Sequence, residues 1–443
     1  MRNQKHCMAR FAFYDRTGIQ AFLEKQAAQG WMLEDIGNFG WKFRRTEPQQ
    51  LRFAVVYFPK ADMYDPEPGE AEQTFREFCA HGGWILAASS AQMQIFYTKG
   101  EESIPIETDP VMEVENIHKS MKKSVLPACW LMLVFLVLLL VLAVIGYRAS
   151  MIRYLSDSGM LLAVVCCAAM LMMDIWQMGS YYRWYRRAQK TAEAEGIFLE
   201  TRSTSRGETV AAVVVLICLV GLLLPGQDWR RAADVWIDLA VYLTMIVLIG
   251  LFRGKLKREG YDAQTGRTAA LIACMVLAIV FSLFVKPLAH AAADSFREQE
   301  AVRLPLTIED LRGADDLEYT NLMLYDQESL LLGYQDAFQA PSDTGIDMRL
   351  EYEIVDVKVP FLYRGCLEEL MQIPAHITQG HYEETDPAPW GAERAWQLYE
   401  GRKPRSWYVL CYEDTILEII PSWEMTVAQM AVVGEILRGG SVS

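Results

Sequence analysis

The chain is poor in histidine and lacks the cysteine spacings of zinc sites. Its 443 residues include six histidines and nine cysteines, with no Cys-x-x-Cys pair. No nucleophile and base stand in a spacing that indicates a hydrolase. We therefore predict no catalytic residues, no metal site and no cofactor, and we expect a protein that is not an enzyme.

Two small sets of residues are the remaining candidates for such chemistry. His376 and His381 with Glu383 and Glu384 form the one cluster with metal-ligand residue types, but helical or finger spacing is missing, so a solvated loop is the better interpretation. The second set is a pair of cysteines, Cys366 and Cys411. Each lies at an apolar position, which favours a free buried thiol, and a disulfide between them is the alternative.

We also expect no cleavable signal peptide, since about 120 mostly polar residues precede the first apolar run. Five apolar runs then follow, each long enough or nearly long enough to cross a bilayer. They are Val125–Tyr147, Met160–Met178, Val210–Pro225, Trp236–Phe252 and Thr268–Val285. We expect a five-helix transmembrane block within residues 125–291, with a re-entrant hairpin formed by the third and fourth runs as the alternative.

Lysine and arginine are unevenly shared between the loops of this block. One side carries 14 of them and the opposite side carries six. Because cytoplasmic loops are enriched in Lys and Arg, we predict a multi-pass protein of the cell membrane with a cytoplasmic N-terminus and an extracytoplasmic C-terminus. The segment YYRWYRRAQK from Tyr181 is expected to anchor the second span at the lipid headgroups, and nucleic acid is not an expected partner.

Two acidic residues fall inside the apolar runs, where a charge is costly. Asp174 lies near the inner end of the second run and Asp238 near the outer end of the fourth. Since this places them at opposite levels of the membrane, we interpret them as snorkelling or as hydrogen-bonded to a neighbouring span. A transporter or permease subunit is the alternative function that they leave open.

The C-terminal domain, residues 292–443, is strongly acidic. It has 11 basic and 28 acidic residues, a net charge of −17. Such a surface keeps a tethered domain soluble and favours cations or basic partners. Alternating and helical patterns predict an α+β fold whose last helix spans Met425–Leu437, with a capping box formed by Thr426 and Gln429.

The N-terminal domain, residues 1–105, contains an internal repeat, and a basic linker helix at 106–124 follows it. Seven residues recur after 53 positions: Phe22, Glu24, Ala27, Gly30, Trp31, Leu33 and Phe43 match Phe75, Glu77, Ala80, Gly83, Trp84, Leu86 and Phe96. Each unit reads as strand, helix, strand, strand. The first strand is predicted at Ala9–Tyr14, and the helices at Thr17–Gln29 and Glu70–His81.

Two such units are expected to form one antiparallel sheet with both helices on one face. The open face would offer aromatic side chains for a small amphipathic ligand, with plain packing or a protein contact as the alternative. The order of elements resembles gyrase-inhibitor-like small-molecule-binding domains, which is an analogy of fold only. The candidate ligand-binding residues are Trp31, Trp41, Phe43, Trp84 and Phe96.

Two stretches carry a resemblance to a known family. The segment YDRTGIQAFLEKQAAQGWMLEDIGNFGWKFRR, the second unit ending GGWILAASSAQMQIFYTKG and the basic helix after it resemble the bacterial family of domain of unknown function 2812. The resemblance implies a membrane protein of unassigned role and transfers no catalytic residues. We therefore expect a non-enzymatic sensor or regulatory protein whose partners are the lipid bilayer and a small ligand or regulatory protein. The sequence leaves the oligomeric state open.

Overall fold

The computed structural model describes residues 3–7, 11–37, 40–61, 68–90, 92–99, 103–106, 109–201, 304–313, 319–341 and 348–439, together with short helical pieces between 213 and 288. The chain divides into two compact units. The first comprises Met1–Leu138 and Cys167–Phe296, and the second comprises Leu139–Cys166 and Arg297–Ser443. Two long helices therefore contribute one part to each unit.

The first unit begins with strand, helix, strand, strand, and this order occurs twice. Its elements are β1 (Gln4–Cys7), α1 (Arg16–Ala28), β2 (Trp31–Gly37), β3 (Gly40–Arg45), β4 (Arg52–Tyr57), α2 (Glu70–His81), β5 (Ile85–Ser90) and β6 (Met93–Thr98). The strand predicted at Ala9–Tyr14 is wrong for the part that the structure describes, since residues 11–14 are not a strand and the edge of the sheet beside β3 is occupied by Gln4–Cys7.

The two repeats match in backbone detail. Each sheet has the order first strand, last strand, middle strand. A shift of register falls between Leu33 and Asp35 in one and between Leu86 and Ala88 in the other, again 53 residues apart. The glycines before the middle strands, Gly30 and Gly83, have φ angles of 80° and 85°, a conformation that other residues rarely adopt.

The predicted single sheet with both helices on one face is wrong. The repeats form two separate three-stranded sheets. Helix α1 packs on the face of the second sheet that carries Phe53 and Val55, while α2 packs on the opposite face with Val56 and Phe96. Because side chains alternate along β4, the second sheet is covered on both faces.

The predicted five-helix transmembrane block is also wrong for the structure. Among the residues that the structure describes, two helices are long and apolar enough to cross a membrane, α3 (Pro110–Ala149) and α5 (Ser158–Glu195), joined by the short helix α4 (Met151–Ser156). Their apolar side chains are largely exposed, as Leu131 at 72% illustrates. The other predicted spans, at 210–225, 236–252 and 268–285, lie mostly outside the described residues.

Helix α3 also includes most of the predicted basic linker, so residues 110–124 and the first apolar run form one continuous helix. The first turns of α3 are part of the core of the first unit, where Val114, Ile117 and Met121 are buried. The membrane-length segment is thus a direct extension of a helix that is packed against the repeat domain.

The second unit is built on a seven-stranded antiparallel sheet of order β10-β11-β12-β13-β9-β8-β7. Its strands are β7 (Tyr319–Glu328), β8 (Leu332–Pro341), β9 (Leu350–Val357), β10 (Gly380–Thr385), β11 (Arg394–Glu400), β12 (Lys403–Cys411) and β13 (Thr415–Pro421). Its helices after α5 are α6 (Ile308–Arg312), α7 (Tyr363–Leu370) and α8 (Val427–Gly439), with short 3-10 turns at Pro360–Leu362 and Ala388–Trp390.

Helices cover both faces of this sheet. Helices α6 and α8 pack on one face around Tyr352 and Trp390. Helices α4 and α7 pack on the other, where Ile152 of α4 shares a core with Val355. Helix α8 follows a capping box as predicted, since Thr426 and Gln429 exchange hydrogen bonds of 3.0 and 3.3 Å. The segment between the two apolar helices is therefore part of the core of the second unit.

Candidate functional sites

The C-terminal part of α5 is built into the core of the first unit. Tyr181, Trp184, Ala188 and Ala192 are buried against residues of both repeats and of α3. The Trp184 ring stacks on Tyr14 at 4.8 Å between centroids. The expected anchor at the lipid headgroups therefore has a protein contact, because these rings need an apolar surface and the repeat domain supplies one.

A histidine of α3 completes this contact between the helices. Nδ1 of His118 lies 2.5 Å from the hydroxyl of Tyr181, and its ring stacks on Tyr185 at 3.9 Å. Burial, aided by the positive charge of Lys122, lowers the pKa of His118. The imidazole is therefore neutral at neutral pH, which lets Nδ1 accept a hydrogen bond from the Tyr181 hydroxyl.

Polar bonds hold the start of α1 to the same helices. Arg16 pairs with Glu113 of α3, whose side chain is 6% exposed, and its guanidinium lies 4.7 Å from the Phe198 ring. The residue before it, Asp15, caps α1 and accepts a 2.7 Å hydrogen bond from the hydroxyl of Thr201. An ion pair this well buried is sensitive to loss of either partner.

We call this set the helix junction. It joins the first repeat, the start of α3 and the end of α5 within the first unit. Its members are Tyr14, Asp15, Arg16, Glu113, His118, Tyr181, Trp184, Tyr185 and Thr201.

A second set of contacts holds α4 within the second unit. The carboxylate of Glu369, on α7, accepts hydrogen bonds from the Ser150 hydroxyl at 2.8 Å and from the backbone N–H groups of Met151 and Ile152 at 2.9 and 3.2 Å. These N–H groups are at the start of α4, where no carbonyl of the helix is available to them. One acid therefore caps the segment between the two apolar helices.

The remaining turn of α4 is fixed to the sheet. The guanidinium of Arg153 lies 2.7 Å from Asp336 and donates to the Tyr334 hydroxyl at 3.3 Å, both on β8. At the other end of α4, the Ser329 hydroxyl donates to the carbonyl of Leu155 at 2.6 Å. We call Ser150, Arg153, Ser329, Asp336 and Glu369 the loop clamp.

Three acids lie side by side across the sheet next to the loop clamp. Asp336 of β8 is directly opposite Glu353 of β9, which is directly opposite Glu418 of β13. We call these three residues the acidic row. Paired residues of neighbouring strands point to the same face, so three carboxyls share one strip of the sheet. Arg153 of the clamp is the cation that pairs with its outer member.

Burial raises the pKa of two acids in this row. For Glu353 the neighbouring charge of Asp336 adds to the effect of burial. Glu418 is 7% exposed, and burial together with Glu353 raises its pKa to about 8, although the Trp407 indole N–H donates to it at 2.6 Å. At neutral pH, Glu418 is therefore mostly protonated and uncharged.

The five predicted ligand-binding residues are not gathered in one cleft. Trp41 and Phe43 are buried in the core that holds α1, whereas Trp84 and Phe96 are buried in the separate core under α2. Trp31 is half-buried with Lys5 and Arg45 near its ring. Packing accounts for the four buried rings, and a role in ligand binding stays a prediction.

The other predicted residues are placed as follows. Asp174 is 7% exposed on α5 and interacts with the thiol of Cys129 on α3, which agrees with one of the two interpretations given for it, a hydrogen bond to a neighbouring span. Asp238 lies outside the described residues. Cys366 and Cys411 are buried free thiols of one core.

Of the cluster expected to lie in a solvated loop, His376 is exposed in a turn, whereas His381, Glu383 and Glu384 belong to the edge strand β10. On it, Nε2 of His381 lies 3.0 Å from Oε1 of Glu383. Successive odd positions of a strand share a face, which explains this contact. Within the described part of the chain, no group of three or more potential ligands could hold a metal ion.

Part of the first unit is similar to a known family. Residues 15–129 match the model of the family described as Protein of unknown function (DUF2812), which confirms the predicted resemblance for this part of the chain. The match runs from the cap of α1 into the first apolar turns of α3, so the family model includes the start of the helix that the junction holds. Comparisons with curated proteins and with solved structures found no match.

Proposed function

We propose that this chain is a non-enzymatic membrane sensor or regulatory protein in which α3 and α5 carry a signal. The single observation behind the proposal is that the helix pair is anchored in each unit: the helix junction holds α3 and α5 in the core of the first, and the loop clamp holds α4, the segment between them, in the core of the second. A change in packing at one site is then expected to shift the same helices at the other.

The proposed topology places α3 and α5 across the cell membrane. The side chains of their apolar segments are exposed, as expected for helices surrounded by lipid. Lys and Arg are concentrated next to the helix junction and not next to α4, which supports a cytoplasmic first unit and an extracytoplasmic α4 with the domain that clamps it. A C-terminal alkaline phosphatase fusion should be active, and a reporter that fluoresces only in the cytosol should be dark.

Signal transfer is tested by weakening the clamp and observing the junction. Glu369→Gln removes the charge that caps α4, and we expect hydrogen exchange at the amides around His118 and Tyr181 to change by roughly fivefold or more, the usual size of allosteric coupling. The protein should be the full chain in lipid nanodiscs, measured by mass spectrometry.

The matched control is Glu368→Gln on the same helix. Glu368 is exposed, and among its described contacts it pairs only with Arg364, which is itself 90% exposed. Removing the charge of Glu368 therefore leaves the loop clamp intact. Equal exchange at the junction in wild type and both variants would contradict the proposal, because the two units would then be independent.

A transporter or permease subunit is the second proposal. It is motivated by Asp174, an acid at 7% exposure in an apolar helix, where ionisable groups commonly serve ion or proton pathways. Asp174→Asn is expected to abolish a flux in proteoliposomes. A flux that is unchanged by this substitution, or absent in wild type, would contradict that proposal.

A further inference from the structure

Two large apolar side chains of the second unit point into open space next to α4. Leu330 is 91% exposed in the turn between β7 and β8, and Phe361 is 79% exposed in the 3-10 turn that precedes α7. Both belong to a domain with a net charge of −17. Exposed apolar groups near each other on such a surface indicate a partner that takes them out of water.

The neighbours of these residues place them at the two ends of α4. Ser329, next to Leu330, donates its hydroxyl to the carbonyl of Leu155 at 2.6 Å. The turn containing Phe361 leads directly into α7, where Gly365 lies against Met151, the first residue of α4. The backbone N–H of Lys358 donates to the carbonyl of Leu331, which ties the two turns to each other at 3.1 Å.

The position of α4 identifies the partner. Helix α3 ends at Ala149 and α5 starts at Ser158, so one end of each apolar helix lies within two residues of α4. If these helices cross a bilayer, the lipid surface is adjacent to α4 and to whatever flanks it. Apolar side chains at that level insert among the headgroups and upper acyl chains.

We propose that Leu330 and Phe361 form a membrane-contacting edge that seats the second unit on the outer leaflet. This inference rests on the proposed function, since it requires α3 and α5 to be in the membrane. It assigns these side chains to lipid, and not to a second copy of the chain or to another protein. The edge would fix the distance between the loop clamp and the bilayer, and so hold α4 at a constant position relative to α3 and α5.

The test is photocrosslinking of the full chain in nanodiscs of phosphatidylcholine and phosphatidylglycerol in equal parts. Benzoylphenylalanine is placed at Leu330, at Phe361 or at Val427, which is 67% exposed at the start of α8 on the opposite face of the sheet. We expect lipid adducts at the first two positions at roughly tenfold the yield at Val427, as the burial of one such side chain implies.

A fourth position separates failure of this inference from failure of the proposed function. Val137 is 42% exposed in the apolar part of α3 and should form lipid adducts whenever that helix is in the bilayer. Adducts at Val137 without adducts at Leu330 and Phe361, or crosslinks from these two to a second chain, would overturn the membrane-contacting edge alone. No adducts at any position would overturn both proposals.

Discussion

Replacing Glu418 by glutamine should remove most of the pH dependence that this carboxyl gives to the free energy of unfolding of the second unit. Its pKa rises from 4.5 to about 8 on folding. The folded state therefore keeps a proton that the unfolded chain releases. This stabilising contribution is fully present below about pH 4.5 and is lost as the pH rises through about 8, so wild type should lose stability across that window.

The size of the effect follows from the shift. A difference of about 3.5 pKa units corresponds to about 5 kcal/mol at most, because each unit is worth about 1.4 kcal/mol. In Glu418→Gln the side-chain amide is uncharged at every pH, and its oxygen can still accept the 2.6 Å bond from the Trp407 indole N–H. The variant should thus resemble wild type near pH 5 and be more stable by several kcal/mol near pH 9.

The assay is thermal unfolding of the full chain in nanodiscs at a series of pH values, analysed as the difference between wild type and variant. Taking the difference cancels other titrating groups. Glu383→Gln is the control, since Glu383 is exposed on the edge strand β10, with 56% of its side chain accessible. A difference between wild type and Glu418→Gln that stays constant from pH 5 to pH 9 would refute the assignment of Glu418 as a buried protonated acid.

Two further predictions concern close packing in each unit. In the second unit, Gly434→Ala should destabilise the fold by about 1–3 kcal/mol and lower the melting temperature, because a Cβ at this position overlaps the carbonyl oxygen of Trp390. The control is Gly179→Ala on α5, where a Cβ has open space and should not destabilise the protein. In the first, Thr201→Val removes the hydroxyl that donates to Asp15 and should cost about 1–3 kcal/mol in thermal unfolding, with an unchanged melting curve as the contradicting result.

Local patterns were sufficient for much of the repeat domain. The spacing that predicted a helix at Glu70–His81 reflects a real helix with the same bounds. The Gly-Trp pairs mark turns that need a positive φ, so they recur wherever the unit recurs. These features depend on neighbours in sequence, which is why one sequence was enough to find them.

The first strand shows where local patterns fail. Phe11 and Phe13 alternate with smaller residues as in a strand, but the rings of this segment pack on separate partners: Phe13 lies 5.1 Å from Tyr57, and Tyr14 stacks on Trp184. The second of these partners is 170 positions away. Alternation records burial and cannot distinguish a sheet from a segment packed between two elements.

The candidate sites required the tertiary structure for a similar reason. The loop clamp joins Met151 to Glu369, and no pattern within either segment indicates the other. The acidic row depends on the register of three strands. One local signal was available, since Glu418 stands alone within the apolar run Ile416–Ile420, and an isolated acid in a predicted buried strand is a reason to expect a raised pKa.

Coupling of the two sites through α3 and α5 is tested most directly by reversing the perturbation. Coupling acts in both directions, so a change at the helix junction should in turn alter the loop clamp. Tyr181→Phe removes the hydroxyl bonded to His118, and Tyr182→Phe is the adjacent control. The measurement is hydrogen exchange at the Met151 and Ile152 amides, which donate to Glu369.

If the helices couple the sites, Tyr181→Phe changes the exchange of these two amides in nanodiscs by roughly fivefold or more, while Tyr182→Phe leaves it at the wild-type rate. Exchange at Met151 and Ile152 that is the same in wild type and in both variants would contradict the coupling.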